Sequence, residues 1–174
     1  MRMTKDFMFD VRYLQMAFIW AENSVAIRRK VGCLIVKDRS IISDRYNGTP
    51  SGFENECETA ECSLNTACPK DADKNGECMN CQYRRLITKP YVLHAEANAI
   101  TKLAKSHNSA EGATLYVTDE PCIECAKLII QSGIRRVVYC REYHKHDGLA
   151  LLNRAKIDVM RIPETFPTKL SNEN

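Results

Sequence analysis

Between residues 10 and 28 the apolar positions Val11, Leu14, Ala17, Phe18, Ala21 and Val25 recur three or four apart. That period puts them on one face of an amphipathic helix, and the basic run Arg28-Arg29-Lys30 is expected to end it. Two short segments follow, 31–37 and 41–46, rich in Val and Ile and separated by the turn-like Lys37-Asp38-Arg39-Ser40, which predicts a β-hairpin. Asn47-Gly48-Thr49-Pro50 breaks the second strand. Residues 53–89 lose this order. They are polar and studded with cysteine, hold the loop-forming stretch 69–76, and read as an excursion from the main fold.

Past Pro90 the regular pattern resumes. It predicts a helix near 94–106, a strand at 114–118, a helix at 122–132, a strand at 136–140, a helix near 148–155 and a strand near 158–162. Such alternation suggests parallel β-α-β units. With the hairpin it completes five strands flanked by helices, a mixed sheet in a three-layer α/β/α sandwich. The tail from Pro163 is expected to be loosely attached. A length of 174 residues, 44% of them apolar, suits one domain over 1–174 with a cysteine-rich insertion at about 53–89.

Charge narrows the classes of partner. The net charge is +3 with Lys and Arg spread along the chain, so nothing demands a long nucleic-acid track or a membrane surface, while a small anionic substrate stays compatible. The first fifteen residues mix charges with apolar groups, no window approaches transmembrane length, and a cytoplasmic location is expected. Nine cysteines include two Cys-x-x-Cys pairs, Cys78/Cys81 and Cys122/Cys125; in a reducing compartment this spacing suggests metal ligands rather than disulfides.

The chemistry concentrates in His94-Ala95-Glu96 and Pro121-Cys122-Ile123-Glu124-Cys125, each at the predicted start of a helix. The partial positive charge of a helix N-terminus favours thiolates at Cys122 and Cys125. One imidazole and two thiolates make three zinc ligands and leave a fourth tetrahedral position for water, as in catalytic rather than structural sites. Activated there, water can attack C4 of a pyrimidine ring. Glu96, two residues beyond His94, can take its proton, protonate ring N3 and help ammonia leave. This pairing of His-x-Glu with Pro-Cys-x-x-Cys is the known signature of zinc deaminases, so the mechanism is matched to an existing pattern. The competing reading makes His94 and Glu96 helix caps and the two cysteines a structural or redox pair.

The segments VGCLIVKDRSIIS, YNGTPSG, HAEANAI and GATLYVTDEPCIECAKLIIQSGIRRVVY, in that order, resemble the deoxycytidylate deaminase family. The resemblance spans nearly everything except the insertion and the tail. It implies a cytidine deaminase-like fold, catalytic zinc, and hydrolysis of dCMP to dUMP and ammonia, which supplies dUMP for thymidylate synthesis. A homo-oligomer is also implied, a hexamer in many members, with dCTP as activator and dTTP as inhibitor. Position by position, Asn47 resembles the residue that hydrogen-bonds the sugar, backbone at Ala95 would contact the ring, and Arg28 and Tyr143 resemble phosphate contacts. The lesser alternative for Asn47 is a turn residue, and Tyr143 can equally be a surface aromatic. Arg28 can equally complete a helix C-terminus, with Arg29 or Lys30 as the phosphate ligand. Arg45 departs from the family's usual Gly-Tyr-Asn-Gly, which bears on the effector response.

Some phage members carry a second, structural zinc after NGTP. Here Cys62, Cys68, Cys78 and Cys81 are the expected ligands, with Cys57 as an alternative to any of them. Cys33 and Cys140 read as core residues, and His107, His144 and His146 as surface groups. Rival functions are a polynucleotide deaminase, such as a tRNA adenosine deaminase, and a zinc-stabilised interaction or nucleic-acid-binding module. The acidic residues of the insertion, from Glu54 to Glu77, would repel a phosphate backbone, and the second rival leaves Glu96 unexplained. A free cytidine deaminase would usually carry cysteine where His94 stands. Deamination of dCTP at the same site is the nearer alternative.

Overall fold

A computed structural model describes residues 4–62, 84–143 and 145–165. Helix α1 runs over Lys5–Ala21, earlier than the apolar period implied. The Thr4 hydroxyl accepts from the Phe7 amide and caps its start. It stops short of Val25 because the Ser24 hydroxyl donates to the Asn47 carbonyl and accepts from the Ala26 amide, drawing the chain out of the helix. Arg28, Arg29 and Lys30 therefore lie on a non-helical link that bends at residues 27–28, and not at a helix C-terminus.

Strands β1 (Gly32–Lys37) and β2 (Ser40–Tyr46) form the expected antiparallel hairpin. Asp38 and Arg39 make its two-residue turn, both at positive φ, as a twist-matched hairpin requires. Tyr13 Oη donates to the Arg39 carbonyl at 2.7 Å, and the Arg39 guanidinium lies over the Phe9 ring, so α1 holds an unfavourable residue in place. The helix also packs closely on β1 at Gly32, where a Cβ would collide with the Ala17 carbonyl.

The remaining elements are β3 (Glu58–Cys62), β4 (Arg84–Thr88), α2 (Ala95–Leu103), β5 (Thr114–Asp119), α3 (Ile123–Gln131), β6 (Arg136–Arg141), α4 (Asp147–Arg154) and β7 (Asp158–Arg161). The main sheet has the order β2-β1-β5-β6-β7. Strand β1 is antiparallel to both neighbours, and β5, β6 and β7 are parallel. Both faces are covered, which explains why the strands read as continuous apolar runs. Cys33, Ile35, Leu115, Val117 and Val137 face Ala95, Ala99, Ala126, Ile129 and Leu152 of α2, α3 and α4. Leu34, Val36, Tyr116, Val138 and Cys140 meet Val11, Leu14 and Ala17 of α1. Cys33 and Cys140 are thus core residues, as expected.

The insertion corrects the sequence reading at both its ends. Strands β3 and β4 pair antiparallel as a separate two-stranded sheet, with Glu58 opposite Thr88, and Lys89 N donates to the Cys57 carbonyl just outside the strands. Residues 58–62, Glu-Thr-Ala-Glu-Cys, have no apolar alternation to announce a strand. Of the proposed second zinc set, Cys68, Cys78 and Cys81 lie outside the described residues, as does the side chain of Cys62; Cys57 is buried. No helix among the described residues is long and apolar enough to cross a membrane.

Candidate metal centre and active-site cleft

His94 and Cys122 occupy equivalent places: each is the N-cap residue of its helix, α2 and α3, with extended backbone and no capping hydrogen bond from its side chain. Helix α3 leaves the carboxyl end of β5. A two-way bridge, Gly48 N to Leu93 O and Leu93 N to Gly48 O, ties the residue before His94 to the Asn47-Gly48 turn. These supports bring His94 Nδ1 to 3.4 Å from Cys122 Sγ and 3.5 Å from Cys125 Sγ. All three potential ligand atoms lie within 4.8 Å of one another. A tetrahedral zinc with ordinary Zn–S and Zn–N bonds separates such a nitrogen and sulfur by roughly 3.5 Å. The donor set therefore fits zinc in number, chemistry and spacing, and it is the only such group among the described residues.

The protons in this cluster are already displaced from their usual places. The Cys122 thiol is pushed down to about 3, first by the hydrogen bond from Cys125 and then by His94. Cys125, the donor in that pair and buried, moves the opposite way. His94 rises to about 8 through its hydrogen bond with Cys122. A divalent cation takes the place of these shared protons when it binds. Glu96, in the first turn of α2 and only 4% exposed, is raised to about 7 by burial. Near neutrality, a carboxyl so placed can both accept and give a proton.

The cluster opens into a cleft of about 410 Å³ lined by Arg28, Asn47, His94, Ala95, Glu96, Cys122 and Tyr143, among others. The structure thus gathers every residue expected at the substrate site, while Cys125 sits buried behind the wall. Asn47 is more than a turn residue. Its Oδ1 accepts from Val31 N at 2.8 Å and its Nδ2 donates to Arg29 O at 2.9 Å, fixing the link that carries Arg28.

Several lining residues escaped sequence reasoning: Glu58, Thr88, Asp119, Glu120 and Glu142. Asp119 pairs with Arg29 and accepts from Arg141 Nε at 2.7 Å, and Arg141 Nη2 also donates to the Lys30 carbonyl. Glu120, its side chain fully buried, accepts from the Tyr143 amide and lies 2.9 Å from His146 Nδ1, so His146 is a partner of the cleft wall though exposed. Glu142 pairs with Arg161. Glu58 accepts from the amides of Ile27 and Arg28 at 3.1 and 3.2 Å.

Arg29 is therefore engaged with a carboxylate, and Lys30 Nζ donates to the Glu22 carbonyl. The Arg28 guanidinium donates to the Thr88 hydroxyl at 3.2 Å and has no carboxylate partner among the described residues. Of the three basic residues in the link, it is the one left to meet an anion in the cleft. Gly148 was likewise unforeseen: a Cβ there would collide with the Pro121 carbonyl and crowd Cys122, so α4 presses its first turn against the ligand loop.

Residues 8–141 match the family described as the cytidine and deoxycytidylate deaminase zinc-binding region. The deoxycytidylate deaminase of Enterobacteria phage T4 is 37% identical over 180 residues, covering 92% of this chain and 93% of its own. That of Mycobacterium phage D29 is 40% identical over 134 residues, covering 77% and 95%. Among solved structures, the dCMP deaminase of cyanophage S-TIM5 in complex with dCMP and dUMP superposes with a TM-score of 0.71 at 34% identity, covering 92% of this chain and all of that one.

Proposed function

Because this chain belongs to the cytidine and deoxycytidylate deaminase family, we propose that it hydrolyses dCMP to dUMP and ammonia. The observation that carries the reading is the juxtaposition of a three-ligand His/Cys/Cys centre and buried Glu96 with a cleft in which the Arg28 guanidinium forms no ion pair with a carboxylate among the described residues. The first two supply hydrolysis at an amino-bearing carbon. The third suits a 5′-phosphate, which a guanidinium can bind in bidentate fashion.

His94, Cys122 and Cys125 would hold zinc, whose contribution when bound is to lower the pKa of water to near neutrality. Glu96 takes a proton from water as its oxygen bonds to C4, and delivers a proton to ring N3. It then carries a second proton to the departing amine as the C4–N4 bond breaks and the 4-carbonyl forms. Water and dCMP are consumed; dUMP and ammonia leave. Backbone at Ala95, fully buried at the start of α2, lies against the ring. Asn47, with one amide hydrogen and one lone pair beyond its backbone contacts, serves the sugar. Tyr143 joins Arg28 at the phosphate.

The family resemblance extends the proposal to a cytoplasmic homo-oligomer, a hexamer, governed by dCTP and dTTP. It also extends to a second, structural zinc on Cys62, Cys68, Cys78 and Cys81. Arg45, opposite Cys33 in the β1–β2 ladder, replaces the family's glycine and is expected to alter the effector response.

The test is an activity screen of purified, zinc-quantified protein on dCMP, CMP, dCTP, deoxycytidine and a tRNA. Ammonia release from dCMP should exceed that from deoxycytidine by roughly 100-fold in kcat/KM, and Arg28→Ala should remove most of the difference. Equal turnover of nucleoside and nucleotide would overturn the substrate assignment, and preference for dCTP or tRNA would replace it.

A further inference from the structure

The base of the insertion hairpin grips Arg28 twice. Glu58 and Thr88 face each other across the β3–β4 ladder. The Glu58 carboxylate accepts from the backbone amides of Ile27 and Arg28, one oxygen each, at 3.1 and 3.2 Å. The Thr88 hydroxyl accepts from Arg28 Nη1 at 3.2 Å. One residue of the pair therefore fixes the main chain at position 28 and the other fixes the guanidinium. Both line the same cleft as His94, Glu96 and Cys122.

This arrangement resolves an electrostatic difficulty. An unpartnered carboxylate in the wall of an anion site would repel the ligand, yet Glu58 is occupied by two N–H donors and forms no ion pair with Arg28. The Arg28 charge is held by a neutral hydroxyl that leaves its remaining N–H groups available. A carboxylate on the guanidinium itself, as Asp119 is on Arg29, would have spent that charge. Residues 27–31 lie outside helix and strand, so their course is set by these contacts together with those of Asn47, of Arg141 at the Lys30 carbonyl and of Asp119 at Arg29.

We propose that Glu58 and Thr88 are positioning residues for the phosphate of the substrate, acting through Arg28, so that the β3–β4 pair serves as a specificity element of the deaminase site. The inference rests on the reading of Arg28 as the phosphate-binding cation. A misplaced guanidinium loses its bidentate bond to phosphate while the metal and Glu96, on α2 and α3, are untouched. Loss therefore falls on binding of nucleotide and spares chemistry on the nucleoside.

The experiment compares full-length, zinc-loaded wild type with Glu58→Ala, Thr88→Val, Thr88→Ser, Arg28→Ala and the Arg28→Ala/Glu58→Ala pair, each on dCMP and on deoxycytidine. Glu58→Ala should raise KM for dCMP about tenfold with little change in kcat, and leave kcat/KM for deoxycytidine within about twofold. Thr88→Val should raise the dCMP KM by about threefold, and Thr88→Ser, which keeps the hydroxyl, should restore it. In the Arg28→Ala background Glu58→Ala should add less than about twofold.

Equal loss on nucleotide and nucleoside, or full additivity with Arg28→Ala, would overturn the inference. If Glu58→Ala fails to fold or to hold zinc, the Thr88→Val and Thr88→Ser pair decides the matter by the same criterion. A dCMP KM unchanged in Arg28→Ala would sink the phosphate reading itself. A raised KM in Arg28→Ala, with wild-type behaviour in the Glu58 and Thr88 variants, would sink only their role.

Discussion

Glu96 combines two properties that water would normally keep apart: it is close to a cationic site and it is desolvated. Burial raises its carboxyl to about 7 in the metal-free site, toward the range in which a proton carrier serving two successive transfers works. Glu96→Gln keeps the shape and one hydrogen-bonding face but cannot exchange protons. The expected result is a fall in kcat of about a thousandfold with zinc content and fold unchanged, read by ammonia release and metal analysis. Loss of zinc in that variant would mean that the carboxylate helps hold the metal. At this scale the sequence was informative: spacing alone separated His94, Cys122 and Cys125 from Cys33 and Cys140, because the first set begins helices and the second interrupts apolar strands. It could not show that Asn47 bonds to Val31 and Arg29, since those bonds join residues 16 and 18 positions apart that no local pattern links.

Helices α2 and α3 both begin on a residue poorly suited to capping. The N-cap position favours Ser, Thr, Asp and Asn, and neither His94 nor Cys122 makes the side-chain bond those residues would make. Helix-start stability is thus given up to the metal at two places. His94→Asn should reverse that exchange at one of them. The variant is expected to lose activity and zinc, while its metal-free form is as stable as metal-free wild type or more so, by up to about 1 kcal/mol in urea unfolding. A metal-free variant less stable than metal-free wild type would count against the argument. Element boundaries were legible wherever packing follows one period, as in β5, α3 and β6. They failed at α1, where Val25 continues the apolar spacing but Ser24 bonds to Asn47 instead. They failed again at β3 and β4, which are held by backbone pairing with little apolar burial to leave a mark on the sequence.

Across the whole molecule, the cleft draws on the link after α1, the turn after β2, the base of the insertion hairpin, the starts of α2 and α3, and the segment after β6. Its ligands could be read from two short motifs. Its electrostatics could not, because Asp119, Glu120 and Glu142 acquire their partners Arg29, Arg141, His146 and Arg161 only when β1, β5, β6 and β7 lie side by side and the segment before α4 folds against them. Gly148 belongs to the same class of residue, since its requirement comes from Pro121 and Cys122 and not from its own helix. Gly148→Ala is expected to weaken zinc binding by about tenfold or more, measured by competition with a chromophoric chelator, with helix content retained. Wild-type affinity in that variant would show that the ligand loop can yield at no cost.

That close approach also orders events in time. Cys122 rests against a helix encoded more than twenty residues downstream, so a chain still emerging in sequence order lacks that supporting surface when the loop itself is complete. A chain ending before α4 would therefore leave the metal-ligand loop bare on the side where Gly148 now meets Pro121 and Cys122.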